Sequence, residues 1–373
     1  MSKQTGKKVF VGVSGGVDSS VSLALLKDQG YDVVGVFIRT WQPDWTLCTW
    51  RDERRDAMRV CAHLDVPFIE LDLEKEYKEG VVDYMIREYR AGRTPNPDVM
   101  CNREVKFGLA RSDESSAKGG FLKWALDHGA DYVATGHYVD RTLNGDGTVT
   151  MLRGNDAQKD QSYFLWTLEQ EQLQHILFPV GSMSKADVRK LAKKYQLPTA
   201  TKKDSQGICF IGDIDMKEFL AHYIDETPGD VLDTDGNTIG SHKGALFYTI
   251  GERHGFMIDE SHKGTDDQPR YVVAKDLKNN TITVSDNPLV EGNADQKIQL
   301  ISIVDNQGIL SSGCELHIQV RYRGKVRSAV LDTYDRTAGT GTLCLDEADP
   351  TIAAGQSIVF YDGTICLGGG IVD

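Results

Sequence analysis

The chain has 373 residues, 26% charged and 40% hydrophobic, with a formal net charge of −13, and this length exceeds a single core, predicting two or three domains. Its seven cysteines, Cys48, Cys61, Cys101, Cys209, Cys314, Cys344 and Cys366, include no Cys-x2-Cys pair, which argues against a zinc ribbon or a secreted disulfide scaffold. No apolar stretch is long enough to span a bilayer and no signal-peptide core opens the sequence, so a soluble cytoplasmic protein with no membrane partner is expected.

The first predicted element is a strand over Val9 to Val13, followed at once by Ser14-Gly15-Gly16-Val17-Asp18-Ser19-Ser20. Adjacent glycines let successive backbone N–H groups turn toward one anion, and serine hydroxyls add donors where the positive end of a helix would point. No Lys-Ser or Lys-Thr follows a Gly-x4-Gly run and the three-glycine dinucleotide pattern is not met, so the loop is neither a Walker loop nor a Rossmann fingerprint. Nucleotide handling is the chemistry it suggests.

Further strands are predicted over Val33 to Ile38, Pro67 to Leu71 and Tyr132 to Thr135. Between them Val21, Ala24, Leu25 and Asp28, and then Ala57, Val60, Cys61 and Leu64, show the spacing of one helix face. This alternation predicts an α/β fold, a doubly wound parallel sheet, with ligands beyond the carboxyl ends of the strands where the Ser14 loop falls. Inside this region Asn96-Pro97-Asp98-Val99-Met100-Cys101-Asn102 places a carboxylate and a thiol three residues apart in a proline-restrained loop. That pairing suits proton transfer beside sulfur chemistry.

A basic stretch from Lys185 to Lys203 runs into Lys203-Asp204-Ser205-Gln206-Gly207-Ile208-Cys209-Phe210, where Lys202 and Lys203 are placed to stabilise a thiolate or persulfide at Cys209. Two thiols in polar loops, in a chain whose Ser14-Gly15-Gly16-Val17-Asp18-Ser19 loop resembles the S-G-G-x-D-S loop of the adenylating ATP pyrophosphatase superfamily, suggest that sulfur replaces an oxygen activated by ATP. Past Phe210, Pro228-Gly229-Asp230 and Asp235-Gly236-Asn237 mark turns in a short linking region. From about Lys297 short alternating strands predict a small barrel or sandwich, in which Leu316, Ile318, Val320 and Tyr322 face inward and His317, Gln319, Arg321 and Arg323 face water. On that alternation Arg321 and Tyr322 share a ligand only if a bulge or strand end intervenes. The net acidity counts against a nucleic-acid partner, but Arg87, Arg90, Arg93, Arg103 and Lys106, the Lys185 stretch, and Arg321, Arg323, Lys325 and Arg327 form three basic segments that folding could align.

Taken together, Ser14 to Ser19, Asn96-Pro97-Asp98-x-x-Cys101-Asn102, Ala134-Thr135-Gly136-His137-Tyr138, Lys159-Asp160-Gln161-Ser162-Tyr163, Gly207-Ile208-Cys209-Phe210 and Cys366-Leu367-Gly368-Gly369-Gly370 resemble the bacterial tRNA-specific 2-thiouridylases of the ATP pyrophosphatase superfamily. The resemblance covers nearly the whole chain. It implies a catalytic domain over residues 1–214, a small central linking domain over 215–292 and a C-terminal β-barrel over 293–373 that contacts tRNA. It implies ATP-dependent 2-thiolation of the wobble uridine of lysine, glutamate and glutamine tRNAs, with ATP and Mg²⁺ as cofactors and a sulfur-relay protein or cysteine desulfurase as donor.

By matched position, Gly12, Val13, Ser14, Gly15, Gly16, Val17, Asp18, Ser19, Ile38 and Gly136 would hold ATP, with Asp18 a metal ligand; Ile38 stands where relatives carry methionine. Cys101 would be the nucleophile, Cys209 the persulfide carrier and Asp98 the acid/base group. Asn96, Pro97 and Asp98 would meet the target base, extruded from its stack. His137, Lys159, Asp160, Gln161, Arg321, Tyr322 and Gln356 would touch tRNA. Gly368 to Gly370 are expected to form a close-packed terminal turn. Two other readings stand beside this one: an adenylating synthetase acting on a small molecule, and a non-catalytic ATP-responsive RNA-binding protein.

Overall fold

The run around Val9 becomes the middle strand of a five-stranded parallel sheet. The computed structural model describes residues 6–46, 50–109, 119–204, 207, 209, 210, 212, 214–262, 269–287 and 296–373. Cys48, and Ser205, Gln206 and Ile208 of the Cys209 segment, lie outside the described residues. Strands β1 (Lys8–Gly12), β2 (Asp32–Arg39), β3 (Phe68–Asp72) and β4 (Tyr132–Ala134) carry the expected alternation, followed by a hairpin of β5 (Val139–Leu143) and β6 (Val149–Arg153) and the short β7 (Ile176–Leu177). The sheet order is β3-β2-β1-β4-β7, with every pairing parallel. Succession along the chain thus reverses direction at β1 and β4, the switch point at which ligands bind in such sheets.

Strand periodicity explains the two layers. Val9 and Val11 point into one core with Val21 of the helix Val17–Asp28 and with Ala57, Val60 and Cys61 of the helix Trp50–His63. Phe10 between them points the other way, into a larger core with Tyr77, Met85, Val105, Phe121 and Leu122. Burial on both faces is why these strands read as continuous apolar runs.

The central region builds a second sheet from β8 (Gly229–Leu232), β9 (Thr238–His242), β10 (Met257–Ile258), β11 (Tyr271–Asp276) and β12 (Thr281–Ser285), in the order β10-β9-β8-β12-β11. The Asp235-Gly236-Asn237 turn joins β8 to β9, pinned by the Asp233 carboxylate, which accepts from the Asp235 and Asn237 N–H groups at 2.9 and 2.8 Å. The remaining strands are β13 (Lys297–Asp305), β14 (Cys314–Gln319), β15 (Arg327–Asp335), β16 (Thr340–Leu345), β17 (Ser357–Asp362) and β18 (Ile365–Val372). They run β13-β16-β15-β14-β17-β18, and β18 pairs back onto β13, so the choice between barrel and sandwich resolves as a closed antiparallel barrel of these six.

Two expectations change here. Gly368 to Gly370 are not a terminal turn but lie within β18; a Cβ on Gly368 would sit 2.0 Å from the Val304 carbonyl oxygen, so close packing, not a reversal of the chain, selects glycine. The inward and outward alternation of β14 stops at Gln319, which is itself buried at 5% exposure, so Arg321 and Tyr322 lie past the strand end. The hairpin β5–β6 was not foreseen as part of the barrel sheet. It extends that sheet through the Ile365–Leu152 pair. Among the described residues no helix is long and apolar enough to cross a membrane.

Candidate active site

The loop after β1 is held open by its own hydroxyls. The Ser14 N–H donates to Ser19 Oγ at 3.2 Å, and Ser20 Oγ donates to the Gly16 carbonyl at 2.6 Å. Gly16 caps the following helix without any side-chain hydrogen bond, so the first N–H groups of that helix have no side-chain partner. Gly15 has φ of +72°, and a Cβ there would lie 2.4 Å from the Glu53 carbonyl oxygen. Gly136 closes the loop from the end of β4, where a Cβ would lie 2.6 Å from Ser19 N. Val13 N donates to the Val36 carbonyl at 2.8 Å, tying the loop to β2, while Ile38 at the end of that strand is buried in the larger core.

Basic side chains gather beside this loop. Lys185 pairs with Asp18 at 2.7 Å and with Asp204 at 2.9 Å, and Asp204 also pairs with Lys159 at 2.8 Å and Arg189 at 2.6 Å. Partial burial works to raise the Asp204 carboxyl, but Lys159 and Lys185 together outweigh it and hold it at about 2. Asp18 accepts from Lys185 and from the Tyr138 hydroxyl at 2.7 Å, and an ion at Asp18 would displace Lys185. Among the described residues no group of three or more His, Cys, Asp or Glu is arranged to hold a metal.

The thiols meet in a second cluster. Asn96 caps a short helix, Pro97–Met100, by accepting from Val99 N at 3.2 Å with proline at the first position, and this helix runs directly into a π-helix, Cys101–Lys106. Cys101 Sγ donates to Cys209 Sγ across 3.5 Å, and Cys209 N donates to Asp98 Oδ1 at 2.9 Å. Tyr77 Oη donates to the Cys209 carbonyl at 2.7 Å, and Asn102 Nδ2 donates to the carbonyls of Asp98 and Phe164. Thus Asp98, Cys101 and Cys209, 111 residues apart at the extremes, form one constellation.

Their acidities diverge. The hydrogen bond from Cys101, opposed by burial and aided by the Lys106 ammonium, brings the Cys209 thiol down to about 7. Burial and the same hydrogen bond push Cys101 well up. Burial also raises Asp98, against the donated Cys209 N–H and Lys106, so its carboxyl keeps a proton to higher pH than usual. The hydrogen bond from Cys101 and the Lys106 ammonium thus favour charge on Cys209 over Cys101.

Three family models cover the chain: a tRNA methyl transferase HUP domain over residues 7–213, a tRNA methyl transferase PRC-barrel domain over 217–286 and an aminomethyltransferase beta-barrel domain over 297–372. Curated relatives named tRNA-specific 2-thiouridylase MnmA match along their length: 44% identity to that of Shewanella oneidensis, covering 99% of this chain and 96% of the relative, and 42% to that of Streptococcus mutans, covering 100% and 97%. That of Lactiplantibacillus plantarum is 42% identical over 100% of this chain and 97% of its own. The chain belongs to the tRNA-specific 2-thiouridylase family.

The residues that the resemblance expects to touch tRNA do not all meet at one place, and Pro97 and Asp98 stand with the thiol cluster. Asn96, Arg321, Tyr322 and Gln356 line a single cavity of about 450 Å³, which Thr249, Ile250, Gly251 and Glu252 of the central region complete. The strand end after Gln319 is what lets Arg321 and Tyr322 face it together. His137, Lys159, Asp160 and Gln161 do not line it. His137 is buried between Phe107 and Phe178, and burial, with Lys106 nearby, lowers it well below the usual histidine range, so the ring is neutral. Asp160 is buried and accepts from Gly154 N, Ser162 N, Ser162 Oγ and Arg153. Gln161 Oε1 accepts from Tyr138 N at 2.9 Å, and Lys159 is paired with Asp204.

Several cations of the three basic segments are engaged within the fold. Arg93 pairs with Glu88, Arg321 donates to the carbonyls of Ile250 and Thr351, Arg323 donates to the Gln158 carbonyl and Arg327 pairs with Asp349. Lys202, expected at the Cys209 thiolate, is instead paired with Asp56 at 2.8 Å, and Lys203 is exposed. The cation beside the sulfurs is Lys106, which the sequence displays only as the end of a basic segment. Its spacing from Cys101 would have singled it out had the π-helix been foreseen.

Proposed function

We propose that this chain is a tRNA-uridine 2-sulfurtransferase that splits ATP to AMP and pyrophosphate and replaces the C2 oxygen of the wobble uridine of lysine, glutamate and glutamine tRNAs with sulfur, in the cytoplasm. The observation that carries it is the Cys101–Cys209 pair, 3.5 Å apart and joined to Asp98, in a chain whose switch-point loop suits an anion. Gly12 to Ser19 and Gly136 bind the nucleotide phosphates, with Ile38 bounding the adenosine. Lys185 and its neighbours compensate the charge of departing pyrophosphate. Magnesium enters as a companion of the ATP phosphates and not as an ion caged by protein.

The uridine C2 oxygen forms a bond to the α-phosphorus as the bond to pyrophosphate breaks, and the oxygen is then part of an AMP leaving group. Asn96, Pro97 and Asp98 face the extruded base, and Asp98 moves the proton. Cys209 carries the sulfur as a persulfide loaded by a sulfur-relay protein or a cysteine desulfurase. Sulfur reaches C2 directly, or as sulfide freed when the Cys101 thiolate attacks Cys209 Sγ. Either way the persulfide S–S bond breaks, a Cys101–Cys209 bond forms, AMP leaves with the oxygen, and an external thiol later reduces the disulfide. The present separation of the two sulfurs requires a closure of about 1.5 Å to reach bonding distance.

The test is mass analysis of nucleosides from unmodified tRNA incubated with the protein, ATP, Mg²⁺ and a sulfur donor. One sulfur-for-oxygen exchange is expected, lost in Cys101→Ser and in Cys209→Ser while ATP binding persists. Full thiolation by either variant would overturn the assignment of the thiols. AMP formed with a small acid and no RNA would point to a synthetase, and RNA binding without pyrophosphate release to a binding module.

A further inference from the structure

Lys106 closes the π-helix that Cys101 opens, and the i→i+5 pitch of that helix brings its sixth residue back over its first. Its side chain is half-buried and hydrogen-bonded to Cys209, with its ammonium 5.4 Å from the centre of the Phe210 ring, the residue after Cys209. The charged and titratable groups that face it are Cys209, Cys101 and Asp98, together with the neutral ring of His137. Tyr77 adds a hydrogen bond to the Cys209 carbonyl but carries no charge there. A cation in this place is costly unless an anion answers it. Asp98 is itself pushed toward its neutral form by burial, which leaves the sulfur of Cys209 as the anion that balances Lys106.

We propose that Lys106 is a catalytic residue of the sulfur-transfer step, the counter-cation that holds Cys209 first as a thiolate able to accept sulfur and then as the persulfide anion that delivers it. The proposal rests on the sulfurtransferase reading. Burial works against the charge of Lys106, but the two thiols and Asp98 outweigh it and raise its acidity constant above the usual lysine value, so the ammonium stays charged throughout the working range. With Cys209 near 7, the thiolate is present above that pH and is lost below it. The role also explains the arrangement of the loop: the cation comes from the element that carries Cys101, so a move that brings the sulfurs together keeps the charge beside them.

The experiment uses the full chain and measures the rate at which iodoacetamide alkylates Cys209, followed by peptide mass, against pH in the wild type, Lys106→Met and Lys106→Arg. The midpoint should rise by about 1–3 pH units in the Met variant and stay within about half a unit of wild type in the Arg variant. Thiolation with a persulfide donor should fall at least about tenfold in the Met variant, while tRNA-dependent pyrophosphate release, which precedes sulfur transfer, persists in a single turnover and reports that the fold is intact. If Lys106→Met does not fold, Lys106→Gln is read in the same way. A Cys209 midpoint unchanged in the neutral variants would overturn the proposal. Absence of AMP formation by the wild type with tRNA would instead defeat the wider reading, while leaving the alkylation profile to judge Lys106.

Discussion

Gly136 and Gly15 are glycines for different reasons, and the difference is testable. At Gly15 both the positive φ and the Glu53 carbonyl forbid a side chain. At Gly136 contact alone excludes it: a Cβ would meet Ser19 N at 2.6 Å and the Asp18 carbonyl carbon at 2.8 Å, and both are backbone atoms of the phosphate loop. Because backbone cannot swing aside as a long side chain can, Gly136→Ala must push the loop itself. Overpacking of this kind costs about 1–3 kcal/mol, and the loop N–H groups it displaces are those that must point at one anion. The expected outcome is a fall of at least about tenfold in kcat/KM for ATP in tRNA-dependent AMP release, with unfolding still cooperative in denaturant. A variant with wild-type ATP kinetics would show that Gly136 does not bound the nucleotide site.

The hairpin β5–β6 shows what an element does that its own residues do not announce. It leaves the parallel sheet directly after His137 and joins the edge of the barrel at Ile365–Leu152. Behind it Arg153 donates to Asp160 at 2.9 Å and to Gln319 at 3.0 Å, and its guanidinium lies 3.5 Å from the centre of the Tyr361 ring. Ser162 Oγ meets the Tyr361 hydroxyl at 3.1 Å across 199 residues of chain. Removing the carboxylate in Asp160→Ala leaves Arg153 enclosed with no anion, at a cost of about 3–5 kcal/mol. Thermal unfolding should register the loss as a clear drop in Tm, and Arg153→Leu in the same background should recover part of it, since the two changes are coupled. Additive losses would mean that the pair does not act as a strut.

That strut also marks the boundary of what the sequence makes legible. The strands around Val9, Val34 and Tyr132 carry local signals of periodicity, and the structure bears them out, whereas the Asn96 to Asn102 segment, expected as a loop, is the short helix Pro97–Met100 running into the π-helix Cys101–Lys106, with Cys101 buried. The docking of β6 on β18 leaves no such trace, because alternation in a hairpin is the same whichever sheet receives it. The same holds for Lys106 and Lys202, whose partners Cys209 and Asp56 come from distant segments. Charge in the sequence says that a residue is costly to bury, not which carboxylate will answer it.

At the scale of the whole molecule, the cavity lined by Asn96, Glu252, Arg321, Tyr322 and Gln356 draws on all three parts of the chain. Arg321 fixes that junction by donating to the carbonyls of Ile250 at 3.3 Å and Thr351 at 2.9 Å. Tyr322 packs against Phe164 with ring centres 4.6 Å apart, and the Arg323 guanidinium lies 5.0 Å from its ring centre. In a chain of net charge −13, with Arg189, Lys202 and Arg327 each paired to a carboxylate within the fold, phosphate attraction is offset in part. Recognition of RNA must then lean on shape and on stacking, which contributes about 1–3 kcal/mol per base. Tyr322→Ala should therefore weaken tRNA binding about tenfold while leaving ATP binding in the absence of tRNA unchanged, as measured by filter binding of tRNA and equilibrium dialysis of ATP. The slope of log affinity against log salt should be the same in variant and wild type, because tyrosine carries no charge to neutralise a phosphate. A changed slope would mean that Tyr322 orders a phosphate-binding surface, and an unchanged affinity would remove the junction cavity from the RNA path.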